Sequence, residues 1–326
     1  MKFPSWEKEK WVDMKQNPLI QPVTGATPGN VIGDPQVILP GEFDDEWHMF
    51  LIGRAKFYRF DSVDGINWNH VYSLDWMCGP MCVTTDGLVW IAYYTQVIDK
   101  ECVISYRTSA DLSIWSEPKV VLKAEYEWER EGKLVQVRNP NVIQLPNGKY
   151  RMYYSGGTIW MDDCGYEEPK YIGYAESDSP FGGFVKNPTP IIGPDINNKF
   201  RNFGAGAIKV FNLSGRYLGL MNGIYLDEEG HSRSAIDVLM SDDGINWEEA
   251  PYSPIILPTS GWKKALVYQL DLRYYEDKLW LFYNARDGWK GGIEWIGGSI
   301  LENVKDIPQK FWRLPKKSKA LQHDHA

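Results

Sequence analysis

Three pairs of polar residues, each two positions apart, open strand-like runs in this 326-residue chain: Asp34 and Gln36 in GDPQV, Asn139 and Asn141 in RNPNV, Gln269 and Asp271 in YQLDL. Side chains alternate along a strand, so the members of a pair share one face. Gly79 and Met81 in CGPMC, and Gly204 and Gly206 in FGAGA, take the aligned places in two further runs. Polar groups converging on one axis, with glycine where another group comes close, suit a small-ligand site. Two carboxyls in such a site cannot both ionise freely. Asp271 near Asp34 pushes one pKa up and leaves an acid beside a base. Glu131, in the loop YEWEREGKLVQ, is the other candidate for the acid, and His231 sits in the loop DEEGHSRS. Ligand-contacting types surround them: Arg54, then Trp160 and Asp163 in TIWMDDCGYEEPK, then Arg286, Asp287 and Trp289 in ARDGWKGG. Aromatic faces stack on apolar ring faces, and Arg and Asp bond hydroxyls. The plainer reading of Asp34 is a strand-start residue bonding its own turn, and that of Glu131 and His231 is a solvated loop.

A repeat must position these residues. The motif Ser-x-Asp-Gly-x-x-Trp occurs as SVDGINW (Ser62 to Trp68) and SDDGINW (Ser241 to Trp247), with looser copies SADLSIW (Ser109 to Trp115) and SDSPFGGF (Ser177 to Phe184). The copies lie about 50 to 70 residues apart, near the periods of propeller blades. Each follows one strand-like run and precedes another. Polar turns such as TDG, PNGK and NLSGR join the runs before them as hairpins. The pattern predicts an all-β, five-bladed propeller in one domain over residues 1–326, with blades near 31–72, 76–123, 137–193, 203–258 and 266–302. Blade five lacks an outer strand, and NPLIQP (17–23 with its flank) resembles the outer segments NPTPIIGP and YSPIILPT. The N-terminus is therefore expected to close the ring, removing the open sheet edges. Inner-strand starts then meet the loops joining second to third strands on one face of the disc. Trp68, Trp115 and Trp247 belong to the turn motif and are expected in the core; Asp64 and Asp243 cap their own turns.

Composition narrows the function. A net charge of −8 with no basic block before the tail disfavours nucleic acid and anionic membrane as partners. No apolar run approaches the ~20 residues of a membrane helix. No apolar leader is visible, so a cytoplasmic location is expected. Cys78 and Cys82, four apart on one strand, are separated by ~13 Å, beyond disulfide reach. No phosphate-binding loop, dinucleotide fingerprint or zinc pattern occurs. No cofactor is required, although Asp-rich loops are of the type that hold Ca²⁺.

With its blades in place, the chain resembles the five-bladed β-propeller glycosidases, including glycoside hydrolase families 43, 32 and 117 and the family 130 mannoside phosphorylases. GDPQV at Asp34 looks like the first-blade Asp-Pro motif, whose Asp is general base in inverting members and nucleophile in retaining ones. RNPNV, from Arg138, looks like the third-blade motif, with Asn139 where a carboxylate would stand. The fourth-blade Glu-Gly-Pro motif, which carries the acid, would fall at Asn202-Phe203-Gly204, where there is no glutamate. The resemblance implies a glycoside hydrolase that cleaves a terminal sugar from a small glycoside. Asp34 would be its base or nucleophile and Asp271 or Glu131 its acid, with His231 a third option for the acid because family 117 uses a His. Arg54, Gln36, Arg138, Asn139, Trp160, Asp163, His231, Gln269, Arg286, Asp287 and Trp289 would be its sugar-binding groups. A mannoside-type phosphorylase, with Arg54, Arg138, Arg286 and Lys290 toward phosphate, and a non-catalytic carbohydrate-binding propeller are the alternatives.

Overall fold

The computed structural model describes residues 10–76, 78–213, 215–304 and 314. Among them are five four-stranded antiparallel sheets and no α-helix. Blade one is β2 (Gly33–Ile38), β3 (Trp47–Ile52), β4 (Phe57–Ser62) and β5 (Asn69–Leu74). Blade two is β6 (Cys78–Thr85), β7 (Trp90–Ile98), β8 (Glu101–Ser109) and β9 (Lys119–Leu122). Blade three is β10 (Val137–Gln144), β11 (Tyr150–Met161), β12 (Tyr166–Ser177) and β13 (Val185–Lys186). Blade four is β14 (Ile208–Leu213), β15 (Arg216–Leu226), β16 (Ser232–Ser241) and β17 (Glu248–Glu249). Blade five is β18 (Leu266–Tyr275), β19 (Lys278–Arg286) and β20 (Glu294–Leu301), completed by β1 (Val12–Asp13). This is the ring-closed, five-bladed propeller that the repeats predict.

Closure differs in detail from the sequence reading. The paired strand is Val12–Asp13, against Ile300 and Ser299. Within the predicted segment 17–23 only Ile20 makes a bridge, to Ile296. Pro18 and Pro22 lack the N–H that a continuous ladder needs. The resemblance among the three outer segments is nevertheless physical. Ile192 bridges Ile172 and Ile256 bridges Ile236, as Ile20 bridges Ile296. In each of blades three, four and five a two-residue strand is followed, after a proline-containing bend, by one isoleucine that pins the third strand. Asn17 extends the closure: its side chain donates to the Gly298 carbonyl at 2.7 Å and accepts from the Gly298 amide at 2.9 Å.

The core lies between blades because each middle strand is apolar on both faces. Trp47, Met49 and Leu51 pack against Trp280 and Phe282 of blade five. Phe50, on the opposite face of β3, packs with Trp90, Ala92 and Tyr94 of blade two. The period of two thus sends alternate residues into neighbouring interfaces.

The Ser-x-Asp-Gly turns are self-contained. Ser62 Oγ accepts from the Asp64 and Gly65 amides, while Asp64 Oδ1 accepts from the Ile66 and Asn67 amides at 2.9 and 2.8 Å. Desolvation is the largest single effect and raises the Asp64 carboxyl, but these bonds together outweigh it and hold the group at about 2. Asp243 repeats the pattern with Ile245 and Asn246. The turns also join blades: Tyr153 donates from blade three to the Gly244 carbonyl of the blade-four turn at 2.8 Å. Trp68, Trp115 and Trp247 are half-buried against the interblade clusters. Cys82, Cys102 and Cys164 are free thiols.

Candidate active site

Every inner strand starts at the same end of the central channel. Asp34, Pro80, Asn139, Ala207 and Gln269, one from each blade, line an upper cavity of about 150 Å³. Two residues further on, Gln36, Cys82, Asn141, Lys209 and Asp271 line a separate lower cavity. Two residues of strand are ~6.6 Å of rise, so the polar pairs form two tiers. In blade two the channel-facing positions, Pro80 and Cys82, are one residue later than Gly79/Met81; in blade four, Ala207 and Lys209 are three residues later than Gly204/Gly206. An odd shift exchanges the two faces of a strand, and in blade four it brings Lys209 into the channel.

A bulge sets the upper tier. The ladders shift register between Gly33 and Gln36, Arg138 and Asn141, Cys78 and Met81, and Val267 and Leu270. Asp34 (φ 55°) and Asn139 (φ 54°) are left-handed at this bulge, a region that Asp and Asn tolerate better than other side-chain-bearing residues. Gly206 (φ 62°) takes the corresponding place in blade four, where an added Cβ would meet the Asn222 carbonyl oxygen at 2.1 Å.

Three carboxyls face the upper cavity: Asp34 from β2, Glu168 from β12 and Glu294 from β20. Glu294 stands across the ladder from Arg286. Tyr166 and Glu168 share the inward face of β12, while Glu167 between them turns outward to accept from the Lys133 amide at 3.2 Å. One buried side chain links the Asp34 backbone to the Glu294 carboxyl. Asn284 Oδ1 accepts from the Asp34 amide at 3.2 Å, and its Nδ2 donates to Glu294 Oε1 at 2.5 Å. Gly33 permits this, since a Cβ there would stand 2.9 Å from Asn284 Nδ2. The carboxyls of Asp34 and Glu168 make no hydrogen bond within the described residues.

Arg138 and Arg286 line the same cavity, and the Nε of each is buried without a hydrogen-bond partner. The Arg286 guanidinium lies 4.9 Å from the Tyr166 ring centroid, and the Tyr166 and Tyr268 hydroxyls bond one another. Among the described residues, no three His, Cys, Asp or Glu side chains gather at metal-ligating spacing. The carboxyls therefore stand as separate groups around the wall.

Burial raises all three. Asp34 is pushed to about 6 by desolvation, opposed by the Arg138 and Lys209 charges. Glu168 is pushed to about 7 by desolvation, against Arg138 and with help from the Asp34 charge. Glu294 reaches about 8 through desolvation and the Asp34 and Glu168 charges, against Arg286 and the Asn284 bond. Near neutrality the cluster holds a mostly ionised Asp34 beside a partly protonated Glu168 and a mostly protonated Glu294, the kind of charge division that paired acid and base chemistry needs.

Asp34, Arg138, Asn139, Gln269 and Arg286 are brought together by the structure. Asp271 is not with them. It lies one tier below, where Oδ2 accepts from the Val37 amide at 2.7 Å and ties blade five to blade one. Glu131 is also elsewhere: it pairs with Lys170 and accepts from the Tyr171 hydroxyl at 2.8 Å. The Lys170 bond holds the Glu131 carboxyl below its usual range, the opposite of what an acid requires. Gln36 belongs to the lower tier, its Nε2 donating to the Pro35 carbonyl at 2.6 Å. Arg54 is exposed and donates to the Gly29 carbonyl at 2.7 Å.

Several loop residues are engaged structurally. Trp160 is 40% exposed, with the Lys133 ammonium 3.6 Å from its ring centroid. Asp163 Oδ2 accepts from the Ser232 amide at 2.8 Å and stands 3.7 Å from His231 Nδ1. Trp289 packs with the His231 ring at 4.7 Å and the Arg233 guanidinium at 4.7 Å, and donates to the Ser232 carbonyl. It is a blade-four contact rather than a free platform. Asp287 accepts from the Ile293 amide at 2.7 Å and closes its own turn.

Sequence reasoning missed Glu168 and Glu294. Glu168 lies in the stretch read as loop, but β11 and β12 extend through it as a long hairpin. Glu294 sits two before Ile296 on the third strand of blade five, a period-two signal that was present in IEWIGG.

The sequence matches no protein-family model and no curated protein. Among solved structures the chain is similar to a putative glycosidase from Bacteroides thetaiotaomicron (TM-score 0.67, 15% identity, 94% of this chain and 100% of that one). It is also similar to the α-L-arabinofuranosidase of Podospora anserina in complex with cellotriose (TM-score 0.63, 16% identity, 91% and 96%). A third is described with the GH130 family of mannoside phosphorylases, which contains glycoside hydrolases that target β-1,2 mannosidic linkages in Candida mannan (TM-score 0.67, 14% identity, 93% and 97%). At these identities the likeness shows a shared fold.

Proposed function

We propose that this protein is a glycoside hydrolase that removes a terminal sugar from a small glycoside, with Asp34 as general base or nucleophile and Glu168 as general acid. The observation that carries the reading is the convergence of Asp34, Glu168 and Glu294 with two guanidiniums on one polar cavity at the channel mouth. Glycoside hydrolysis uses one carboxyl to protonate the leaving oxygen and a second to activate water or attack the sugar. Asp34 and Glu168 suit those roles because neither carboxyl is occupied by a protein hydrogen bond, and their pKa values are split about 6 to about 7. Glu294, held by Asn284, stays largely neutral beside them, and it is burial with the Asp34 charge that raises Glu168. At about 150 Å³ the cavity is smaller than the ~300 Å³ at which drug-sized sites begin, in keeping with one sugar ring at a chain end. The reading is supported by the solved structures named above, which share this fold and include an α-L-arabinofuranosidase.

A phosphorolytic variant has one specific support: the unpartnered Nε groups of Arg138 and Arg286 are donors of the kind that hold phosphate. Turnover of aryl pentosides, mannosides and galactosides with and without inorganic phosphate separates the two. Phosphate-independent release of sugar is expected. Strict phosphate dependence would assign the phosphorylase, and no release from any substrate by the wild type would remove the catalytic reading.

A further inference from the structure

The lower half of the channel has no part in the proposed chemistry, yet it is the larger cavity, about 560 Å³ against about 150 Å³ for the upper one. That volume lies within the range of small-molecule sites. Its side walls are apolar, from Val83, Val142 and Phe211 among others, and its inner end is the polar tier of Gln36, Asn141, Lys209 and Asp271. We propose that this lower cavity is a second binding site, for a small neutral polyhydroxylated molecule the size of one or two sugar rings.

The case rests on unfilled hydrogen-bonding capacity. Lys209 is 3% exposed, and among the described residues the one hydrogen bond its ammonium makes is a long one, 3.4 Å to the Met81 carbonyl. An ammonium carries three donors, and burying them unmet is costly. Asn141 gives Oδ1 to the Val210 amide at 2.8 Å, but its Nδ2 has only the Cys82 sulfur at 4.0 Å. On the acceptor side, Asp271 uses Oδ2 for the Val37 amide and leaves Oδ1 open. Gln36 donates Nε2 to the Pro35 carbonyl and leaves Oε1 open. One tier therefore offers donors and acceptors side by side, and a hydroxyl, which is both, answers each.

Charge balance sets the ligand's class. Arg273 is bound by both oxygens of Glu42, at 2.7 and 2.6 Å. Lys209 and Asp271 then offset one another, so the tier favours neither an anion nor a cation. Aliphatic and aromatic walls beside it match the apolar faces of a ring that carries hydroxyls on its rim.

This site is independent of the catalytic reading and is tested by binding rather than turnover. Calorimetric titration of the full chain with arabinose, glucose and sorbitol is compared across wild type, Asp34→Asn, Lys209→Met and Thr84→Trp, with inorganic phosphate and sulfate as controls. Thr84 lines the lower cavity away from the polar tier, so its indole fills the space if Lys209→Met fails to fold. The expected result is saturable polyol binding that survives Asp34→Asn and weakens at least tenfold in Thr84→Trp and in any folded Lys209→Met. Binding that persists in Thr84→Trp, that is lost with Asp34→Asn, or that is absent below about 50 mM, where affinity approaches nil, would overturn the proposal. Tighter binding of phosphate or sulfate than of any polyol would do the same.

Discussion

Replacing Glu294 by Gln should stabilise the protein, and more so at pH 7 than at pH 5. Glu294 is raised from an ordinary 4.5 to about 8, chiefly by desolvation. A carboxyl whose folded pKa is raised binds more protons folded than unfolded between those two values. Stability therefore falls as pH climbs from about 4.5 toward 8. Treating the site alone, the linkage cost is about 3 kcal/mol at pH 7 and about 1 kcal/mol at pH 5. Solvent at the cavity mouth and sharing of charge with Asp34 and Glu168 reduce this by roughly half. Gln keeps an oxygen for the Asn284 Nδ2 bond and removes the titration, so the variant should gain about 1–2 kcal/mol at pH 7 and less than ~0.5 kcal/mol at pH 5. Urea unfolding at both pH values, with equal m-values, reads the difference directly. A variant no more stable than wild type at pH 7, or one whose gain does not change with pH, would refute the burial and charge coupling assigned to this cluster.

Other consequences follow from the same geometry. The pH profile of kcat/KM should be a bell that rises near 6 as Asp34 ionises and falls near 7 as Glu168 loses its proton; a monotonic profile would contradict the split. Glu168→Gln should lower kcat/KM by ~10²-fold or more on alkyl glycosides but far less on nitrophenyl glycosides, whose leaving oxygen needs no proton; equal losses on both would remove Glu168 as acid. Asn17→Ala breaks both side-chain bonds to Gly298 and should cost about 1–3 kcal/mol by thermal or urea unfolding, since they tie down the closing segment between the Val12–Asp13 strand and the Ile20 bridge.

The architecture was legible because its signals are local. Ser62-Val63-Asp64-Gly65 fixes a turn through its own side chains, and the period-two runs around it fix strands. The match of Pro18, Leu19 and Ile20 to the other outer segments pointed to closure from the N-terminus. The site was half legible. Asp34, Arg138, Asn139, Gln269 and Arg286 lie at strand ends that the repeat aligns. The remainder depends on phase and depth, which one sequence does not encode locally. Asp271 shares a face with Gln269 in the channel, but two residues of rise place it in the lower tier. Lys209 was hidden because the channel-facing pair of blade four lies three residues past the aligned Gly204/Gly206, an odd shift that exchanges the strand's faces. Glu168 was hidden because β12 runs on past the usual strand length into what reads as a polar loop.

The central claim is that Asp34 performs chemistry in the upper cavity. The most direct measurement is kcat/KM of Asp34→Asn against wild type on the aryl glycoside that the wild type turns over best, with folding checked by unfolding midpoint. Asn fits the left-handed position, as Asn139 does in blade three, so the backbone should be retained. Loss of activity by more than ~10³-fold, about 4 kcal/mol of transition-state stabilisation, in a protein at least as stable as wild type is the predicted result. Activity within tenfold of wild type would contradict the account.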